Sequence, residues 1–585
     1  MSPTKDYRKQ KDMILALASV MVLILLVSIL FDYYYEFNDD VLMKDILSGA
    51  YTGSPSSRNI QMLFPISAII SLLYRIVPGA PVYGLFLCAC QYGCAWVLTY
   101  RSIRISPNIR GRIIAISSSL CFFLAVILPH IVMVQYTITV AILAATAAFV
   151  FYTIPDGLNA KDFYIQAAPA VIIVILAFWI RSEMLLLCFP FIGIVGLIRW
   201  DREHDSFQKS ILIRYSMVIL CILIGLGASL GIDKLATSST EWKTFISEFN
   251  NRTQLYDYQY VPDYDENSGF YLQLGLEKAD VDLLSNYNYA LDRKINGEIL
   301  GQVAEYAKKL RQESTLYKIK YSIKEYIYRL THFTDGIYAV ITLFLYVVWI
   351  WAVLARKESS LSHKLHILGL RICGLFIMRS IPWIYIIMGR RAPNRIVHSL
   401  YIMEIVILLA CVLVEFTSKL MDKDYLQMIT SVVLIGGGII SVPIMITQVK
   451  EQVRKQESIN KYAYMINDYC KSNPENFYFE DVYSTIRDGE TFNQKMFVNV
   501  DNTLLNYDLM GGWASNSPLY REKLSRYDIS LIDEDLVTKD NIYVICDLNR
   551  DIDWIENYYE SQGRKVEVSL VDEIDSVFGV YSVNE

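Results

Sequence analysis

The chain has 585 residues, of which 54% are hydrophobic and 19% are charged, and its mean hydropathy is +0.30. This low charged fraction excludes an ordinary soluble protein. The apolar runs are continuous and do not alternate, which excludes a transmembrane β-barrel. The net charge of −6 adds little, because a membrane protein sorts its charges by side. The composition therefore predicts a polytopic α-helical membrane protein.

The amino terminus, residues 1–12, precedes the first apolar run and carries several basic residues. These are Lys5, Arg8, Lys9 and Lys11. By the positive-inside rule this segment is cytoplasmic, so the loop at 32–81, which follows the first span (13–31), is expected on the outer side. Bulky Tyr33, Tyr34 and Tyr35 follow the run where a signal peptide would have a small-residue cleavage site. We therefore expect a retained membrane anchor.

The next apolar run, Met62 to Ile76, is short for a membrane span and contains Pro65 and Arg75. If this run crossed the membrane, the arginines at 101–112 would fall on the outer side, against the positive-inside bias. We therefore expect an interfacial or re-entrant helix on the outer surface.

The remaining apolar runs bring the count to about eleven transmembrane helices. The predicted spans are 13–31, 82–100, 113–131, 136–154, 164–180, 182–199, 212–232, 336–355, 365–387, 396–416 and 425–447. The expected organisation is a transmembrane module at 13–232, an extracytoplasmic loop at 233–335, a second helix group at 336–447 and an extracytoplasmic domain at 448–585. This is a multi-pass protein of the cell membrane with a cytoplasmic amino terminus.

The two large extracytoplasmic regions have different patterns. The stretch from Asn296 to Tyr328 predicts a basic helix that lies against anionic headgroups. In the last 138 residues, the segments 476–479, 542–546 and 565–571 have sequences typical of strands, and the segment 552–562 is typical of an amphipathic helix. We therefore expect a small α/β domain at the carboxyl terminus.

Two adjacent acids, Asp39 and Asp40, lie a few residues beyond the first span. A carboxylate at the membrane surface can accept a proton from a hydroxyl that attacks a sugar carbon, and it can bind a divalent cation such as Mg or Mn. The alternative is a solvated loop in which Asp40 pairs with Lys44 on a short helix.

The order of features around the acids resembles the GT-C superfamily of membrane glycosyltransferases. An acidic pair follows the first span, then a glycine-containing turn, a Pro-led helix that does not cross, and a span that ends in arginines. The resemblance covers about the first 200 residues, including Ile180-Arg181-Ser-Glu183 and the span with Pro190. It implies that Asp39 or Asp40 is the catalytic acid of an inverting hexosyl- or pentosyltransferase. The chain lacks the Asp-Glu plus His form of some members, so the choice of acid and any metal stay open.

Arginines mark a second candidate site, because a guanidinium suits bidentate contacts to phosphate. The candidate lipid-phosphate ligands are Arg379, Arg390, Arg391, Arg395 and Arg181. Anchoring to headgroups is the alternative for the group at 379–395, and snorkelling of Arg181 is the preferred alternative at that position.

Two further features have weaker signals. The loop from Asn506 to Trp513 contains Gly511, Gly512 and aromatic residues, which stack on sugars or form local core. The lone His130 is interpreted as structural. The sequence has no phosphate-cradling glycine loop, which argues against an ATP-driven transporter and a nucleotide-sugar enzyme.

The sequence as a whole favours a glycosyltransferase of cell-envelope polysaccharide biosynthesis. It would move a sugar from a polyprenyl-phosphate donor to a glycan, lipid or protein acceptor on the outer face. Its partners are membrane lipid, donor and acceptor, without nucleic acid. A transporter or flippase, a polymerase for lipid-linked polysaccharide and a non-catalytic envelope assembly protein remain alternatives.

Overall fold

The computed structural model describes residues 3–106, 108–203, 205–356, 360–417, 423–487, 489–498 and 500–585. The first helices are α1 Pro3–Leu30, α2 Asn38–Ser48, α3 Phe64–Ile76, α4 Val82–Ile105, α5 Ile109–Phe122, α6 Leu128–Val132, α7 Tyr136–Tyr152, α8 Ala160–Ile180, α9 Ser182–Asp201 and α10 Lys209–Ala236. The next are α11 Thr240–Thr253, α12 Tyr264–Gln273, α13 Lys278–Ser285, α14 Gly297–Leu310, α15 Thr315–His332, α16 Ile337–Leu354, α17 Leu361–His366, α18 Gly374–Met388, α19 Asn394–Thr417 and α20 Lys423–Ser472. The last are α21 Pro518–Ser525, α22 Ile532–Thr538 and α23 Trp554–Ser561.

Short strands and helical segments complete the secondary structure. The strands are β1 Tyr34–Tyr35, β2 Met133–Val134, β3 Phe477–Glu480, β4 Ile486–Arg487, β5 Glu490–Thr491, β6 Tyr507–Leu509, β7 Ile542–Asp547, β8 Glu567–Ile574 and β9 Phe578–Asn584. The π-helical segments are Phe123–Ile127, Gln254–Tyr258 and Ile367–Cys373, and the 3₁₀ segments are Tyr289–Leu291 and Val482–Thr485.

The predicted helical membrane fold is confirmed. Within the described residues, nine helices are long and apolar enough to cross a membrane. They are Arg8–Leu30, Val82–Ile105, Ile109–Val132, Ala160–Ile180, Ser182–Asp201, Lys209–Ala236, Ile337–Leu354, Leu361–Met388 and Asn394–Glu415. The predicted span at 136–154 is the shorter apolar helix α7. The one at 425–447 falls in α20, where the side chains of 423–435 lie outside the described part.

Helix α7 lies at the centre of the helical bundle. Its residues from Tyr136 to Val150 are buried without interruption, because α4, α8, α9 and α19 pack around it. A helix that is apolar on all sides is stable only in such a position. The amino-terminal end of this central helix reaches the candidate site.

Helix α3 has both ends on the same side of the bundle. The Leu63 N–H, just before α3, donates to the Trp179 carbonyl at 2.9 Å, near the end of α8. After α3, the Pro78 carbonyl accepts from the Asn502 amide of the carboxyl-terminal domain at 2.6 Å. The helix therefore lies along this face and does not pass to the other one.

The loop at 233–335 and the carboxyl-terminal domain share one hydrophobic core, which includes Leu284 and Leu300 from the loop and Phe479 and Val544 from the domain. The Asn288 amide donates to the buried Asp481 carboxylate at 2.8 Å and fixes the two parts together. The single basic helix predicted from Asn296 to Tyr328 is two helices, α14 and α15.

The carboxyl-terminal domain contains a five-stranded sheet with the order β6-β3-β7-β9-β8. Strands β6, β3 and β7 are parallel, whereas β9 and β8 are antiparallel additions. The predicted small α/β domain is confirmed, with its strands at β3, β7 and β8 and its helix at α23. The loop after β6 extends from the sheet toward α2.

Candidate active site

The acids of the first loop are placed by a short parallel pairing of β1 with β2, in which Tyr34 pairs with Met133 and Tyr35 with Val134. The Glu36 N–H continues this pairing and donates to the Val134 carbonyl at 2.9 Å. The pairing brings the start of α2 against the start of α7. Helix α2 has acids in its first turn, which its dipole favours, and ends at Gly49, whose φ of +93° favours glycine.

The structure gives Asp40 a buried, structural position. Its side chain is fully buried, and Oδ1 accepts from the Tyr83 hydroxyl at 2.9 Å and from the Tyr136 N–H at 3.3 Å. Burial raises the pKa of Asp40 well above its usual range, although the Tyr83 hydrogen bond opposes the shift. Asp40 therefore orients Tyr83 and the start of α7, and it is not reached from solvent.

Asp39, one residue earlier, faces outward. Its side chain keeps 20% of its exposure, and Oδ2 lies 3.3 Å from Nη1 of Arg395. The guanidinium of Arg395 stacks 5.3 Å from the ring centre of Phe37, which fixes its orientation. Asp39 and Arg395 are 356 residues apart in sequence, and the start of α19 brings them together.

Sequence reasoning missed Glu36, a third acid at this place. Its Oε2 atom is buried without a hydrogen bond partner in the described structure. Burial raises the pKa of Glu36 to about 8, although the charge of Arg395 opposes the shift. No residue pattern indicates this burial, because it results from the pairing of β1 with β2.

Arg181 lies at the edge of the same cluster. Nη1 donates to the Thr137 hydroxyl at 2.7 Å and to the Tyr136 hydroxyl, and the guanidinium lies 4.8 Å from the Tyr136 ring centre. Since Tyr136 also contacts Asp40 through its N–H, the structure brings Arg181, Asp40 and Asp39 together. Its side chain is partly exposed, in the turn between α8 and α9.

The other predicted arginines have separate partners. Arg391 forms an ion pair with Asp257 at 2.6 Å, and Arg390 pairs with Glu313, so both attach the turn before α19 to the loop at 233–335. Arg379 lies inside α18, where its Nε is 2.9 Å from the buried Glu404 carboxylate. The structure therefore groups Arg395 and Arg181 with the acids and places Arg390, Arg391 and Arg379 elsewhere.

A cavity of about 360 Å³ opens beside Asp39, between α2 and the carboxyl-terminal domain. Asn38 and Asp39 line one side, and the loop that contains Tyr507 and Trp513 lines the other. The predicted aromatic loop at 506–513 therefore faces the candidate acid. A volume of this size is within the range of ligand pockets, about 300–1,000 Å³.

The acids do not fit a divalent cation. Across the described residues, no group of three His, Cys, Asp or Glu side chains is placed to bind a metal. A calcium or magnesium ion prefers about six or more oxygen ligands, whereas Asp40 is hydrogen-bonded to Tyr83 and Asp39 faces Arg395.

Comparison with known proteins gives little further guidance. No family model and no curated protein matches the chain. The chain is similar to the crystal structure of ArnT from Cupriavidus metallidurans bound to undecaprenyl phosphate, with 9% sequence identity, 97% coverage of each chain and a TM-score of 0.40.

Proposed function

We propose that this protein is an integral membrane glycosyltransferase that moves a sugar from a polyprenyl-phosphate donor to an acceptor on the outer face of the membrane. One observation carries the proposal. The Asp39 carboxylate lies 3.3 Å from the Arg395 guanidinium and also lines a cavity of about 360 Å³. A carboxylate beside both a guanidinium and a ligand cavity can serve as the base when a sugar moves from a phosphate to a hydroxyl.

In this proposal the acceptor enters from the cavity and the donor from the membrane. Asp39 takes the proton of the acceptor hydroxyl while its oxygen attacks the anomeric carbon of the sugar. The bond between that carbon and the phosphate oxygen breaks, and the lipid phosphate leaves with the bonding electrons. Attack opposite to the leaving group inverts the anomeric centre.

Arg395 and Arg181 are the residues that we expect to hold the lipid phosphate. Both guanidiniums are partly exposed near Asp39 and Asp40, and arginine matches phosphate in bidentate geometry. Their charge stabilises the negative charge that develops on the leaving phosphate. Arg390 and Arg391 contribute indirectly, because they hold the turn before α19 against the loop at 233–335.

The charges at the opposite ends of the helices support the orientation that we propose. There, Arg104 and Arg112 pair with Asp12, and Arg199 and Arg202 pair with Asp156. Arginine-rich helix ends are typical of the cytoplasmic side. We therefore place the amino terminus in the cytoplasm and the site, the loop at 233–335 and the carboxyl-terminal domain outside.

A flippase for a lipid-linked glycan is the second candidate, because transporters have charged groups near the middle of the bilayer. Arg379 and Glu404 form such a pair inside the helical bundle. The pair is 3% and 0% exposed, however, whereas a transported substrate needs an accessible site. A polymerase would share the site at Asp39 and is a neighbouring chemistry.

The test is the transfer of labelled sugar from polyprenyl-phosphate donors by the purified full-length protein, compared between wild type and Asp39→Asn. We expect the variant to lose activity roughly 10²–10⁴-fold, as is typical for a general base. Asp32→Asn is the matched control, because Asp32 lies in the same loop but is 50% exposed and pairs with Lys495. Unchanged transfer in Asp39→Asn would reject the assignment of the base. Movement of the lipid-linked sugar across vesicles without transfer would favour the flippase.

A further inference from the structure

The cavity beside Asp39 has charged residues in its lining, but they neutralise one another. Lys44 pairs with Asp45 at 2.5 Å, and Lys523 pairs with Asp508 at 3.0 Å. A third pair joins Lys471 to Asp501 at 2.8 Å. Lys44 and Lys523 are also buried, so they are poor ligands for an anion, because an anion would have to displace their carboxylate partners inside the protein.

The remaining ionisable residues of the lining also balance. Burial raises the pKa of Glu480 to about 8, which favours the uncharged acid at neutral pH. Among the charged residues of the lining, Asp39 and Arg252 remain, and they have opposite charges. The lining therefore has no excess of either charge, and it does not select an anionic or a cationic ligand by its field.

Polar atoms of the lining are nevertheless left without partners. The Thr491 hydroxyl and Arg252 Nε are buried and have no hydrogen bond partner within the described structure. Side-chain amides of Asn38 and Gln494 lie on the same surface. These two atoms are not accessible from the cavity, whereas the amides of Asn38 and Gln494 are at least partly exposed and can exchange hydrogen bonds with the hydroxyls of a ligand.

The lining also has a large aromatic component. Trp513 is half-buried and faces the cavity, together with Tyr51, Tyr464 and Phe492. Trp513 follows Gly511, at which a Cβ atom would lie 1.7 Å from the Tyr287 carbonyl oxygen. The loop at 506–513 therefore packs directly on the backbone of the loop at 233–335, and this close approach holds Trp513 in place.

We propose that this cavity binds an uncharged glycan chain and that this chain is the acceptor of the transfer reaction. A sugar ring presents apolar C–H faces to aromatic rings and hydroxyls to amides, and it needs no charged partner. Since Asp39 lines the same cavity, a hydroxyl of the bound chain can reach the proposed base. This inference rests on the proposed function for the role of acceptor, but not for the binding of the glycan.

The test is direct binding to the purified full-length protein, followed by intrinsic tryptophan fluorescence and calorimetry. The ligands are neutral oligosaccharides of six units from dextran, mannan, galactan, xylan and β-glucan. Oligogalacturonate and heparin fragments of equal length and neutral hexapeptides complete the set. We expect binding of at least one neutral series, with no binding of the anionic fragments or the peptides.

Variants locate the binding site. Trp513→Phe and Gln494→Leu are expected to weaken neutral-glycan binding at least roughly 10-fold, and Trp554→Phe is the matched control in the same domain. Trp554 is equally half-buried but does not line the cavity. Gln494→Leu keeps the fold testable, because Gln494 contributes its backbone carbonyl, and not its side chain, to the hydrogen bonds of the described structure.

The outcomes separate this inference from the proposed function. Asp39→Asn is expected to bind the glycan but not to transfer sugar. Glycan binding without transfer by wild type would reject the transferase and keep the glycan site. Preferred binding of anionic fragments or peptides, equal loss in Trp554→Phe, or no binding of any neutral series would overturn the glycan site, whatever the transfer assay shows.

Discussion

Helix α19 contributes to two arginine–carboxylate pairs that lie in very different surroundings. At its first turn, Arg395 meets Asp39, and the two side chains keep 17% and 20% of their exposure. Nine residues further along α19, about 14 Å away at the rise of an α-helix, Glu404 meets Arg379, and these side chains are 0% and 3% exposed. The same chemical pair therefore occurs once at the edge of a cavity and once inside the bundle.

The surroundings decide what each pair can do. Glu404 also accepts from the Tyr346 hydroxyl at 2.8 Å, and four aromatic rings surround the Arg379 guanidinium at 5.7–5.8 Å. A charge pair that is closed in this way stabilises the packing of α18 on α19 but has no access to a substrate. Among the described residues the pair at Asp39 makes one ionic contact, and Asp39 lines a cavity, so this carboxylate is accessible to a substrate.

The largest expected effect comes from removing one member of the buried pair formed by Arg379 and Glu404. Glu404→Gln leaves the Arg379 guanidinium buried without its counter-charge, and removal of one member of a buried pair costs about 3–5 kcal/mol. We expect a clear decrease in the thermal unfolding temperature of the detergent-solubilised protein. Arg379→Met with Glu404→Gln together should be less harmful than the sum of the single changes; strict additivity would show that the two groups do not interact.

The next effect is on catalysis. Arg395→Ala removes the donor that faces Asp39, and loss of such a charge-stabilising group lowers the rate by roughly 10²–10³-fold. Arg395→Lys should restore only part of the activity, because lysine cannot form a bidentate contact. Transfer rates at saturating donor, with unfolding temperatures measured in parallel, check this prediction. Equal rates in wild type and Arg395→Ala would remove Arg395 from the phosphate site.

The third prediction separates the two neighbouring acids. Asp40→Asn keeps the acceptor oxygen for Tyr83 and Tyr136 and should retain most of the transfer activity, whereas Asp40→Ala leaves these donors unpaired and costs about 1–3 kcal/mol of stability. Unfolding temperatures and transfer rates of both variants provide the test. Complete loss of transfer in a stable Asp40→Asn protein would make Asp40 the base in place of Asp39.

The raised pKa of Asp40 predicts that the stability of the protein depends on pH. Burial raises the pKa of Asp40 in the folded state, so its contribution to stability is fully present below the unfolded value of about 3.9 and is lost as the pH rises through the folded value. Asp40→Asn should therefore lose less stability than wild type as the pH is raised from 4 toward neutral. Parallel profiles for the two proteins would contradict the buried position of Asp40.

The smallest effect is expected at an exposed pair on the same turn. Arg390 is 54% exposed and pairs with Glu313, and such surface pairs contribute about 0–1 kcal/mol. Arg390→Ala should leave both the unfolding temperature and the transfer rate near those of wild type. A loss of transfer comparable to that of Arg395→Ala would show that the lipid phosphate extends to Arg390.

The sequence was sufficient for the class of fold and for the position of the acids in the chain. Apolar runs of membrane length predicted the helices, and strand and helix patterns predicted the carboxyl-terminal α/β domain. Both are local properties of the chain, because length and periodicity are set by the bilayer and by hydrogen bonding within each element. The aromatic loop at 506–513 was also visible, though its position beside Asp39 was not.

Only the tertiary structure decided which acids and arginines are buried and which lie at the cavity. The sequence treats Asp39 and Asp40 as equivalent, and it groups Arg379 with Arg395. The fold separates both sets, because pairing of β1 with β2 buries one carboxylate against Tyr83 and leaves its neighbour at the cavity. Burial and partner choice depend on contacts between residues hundreds of positions apart, and no local pattern contains that information.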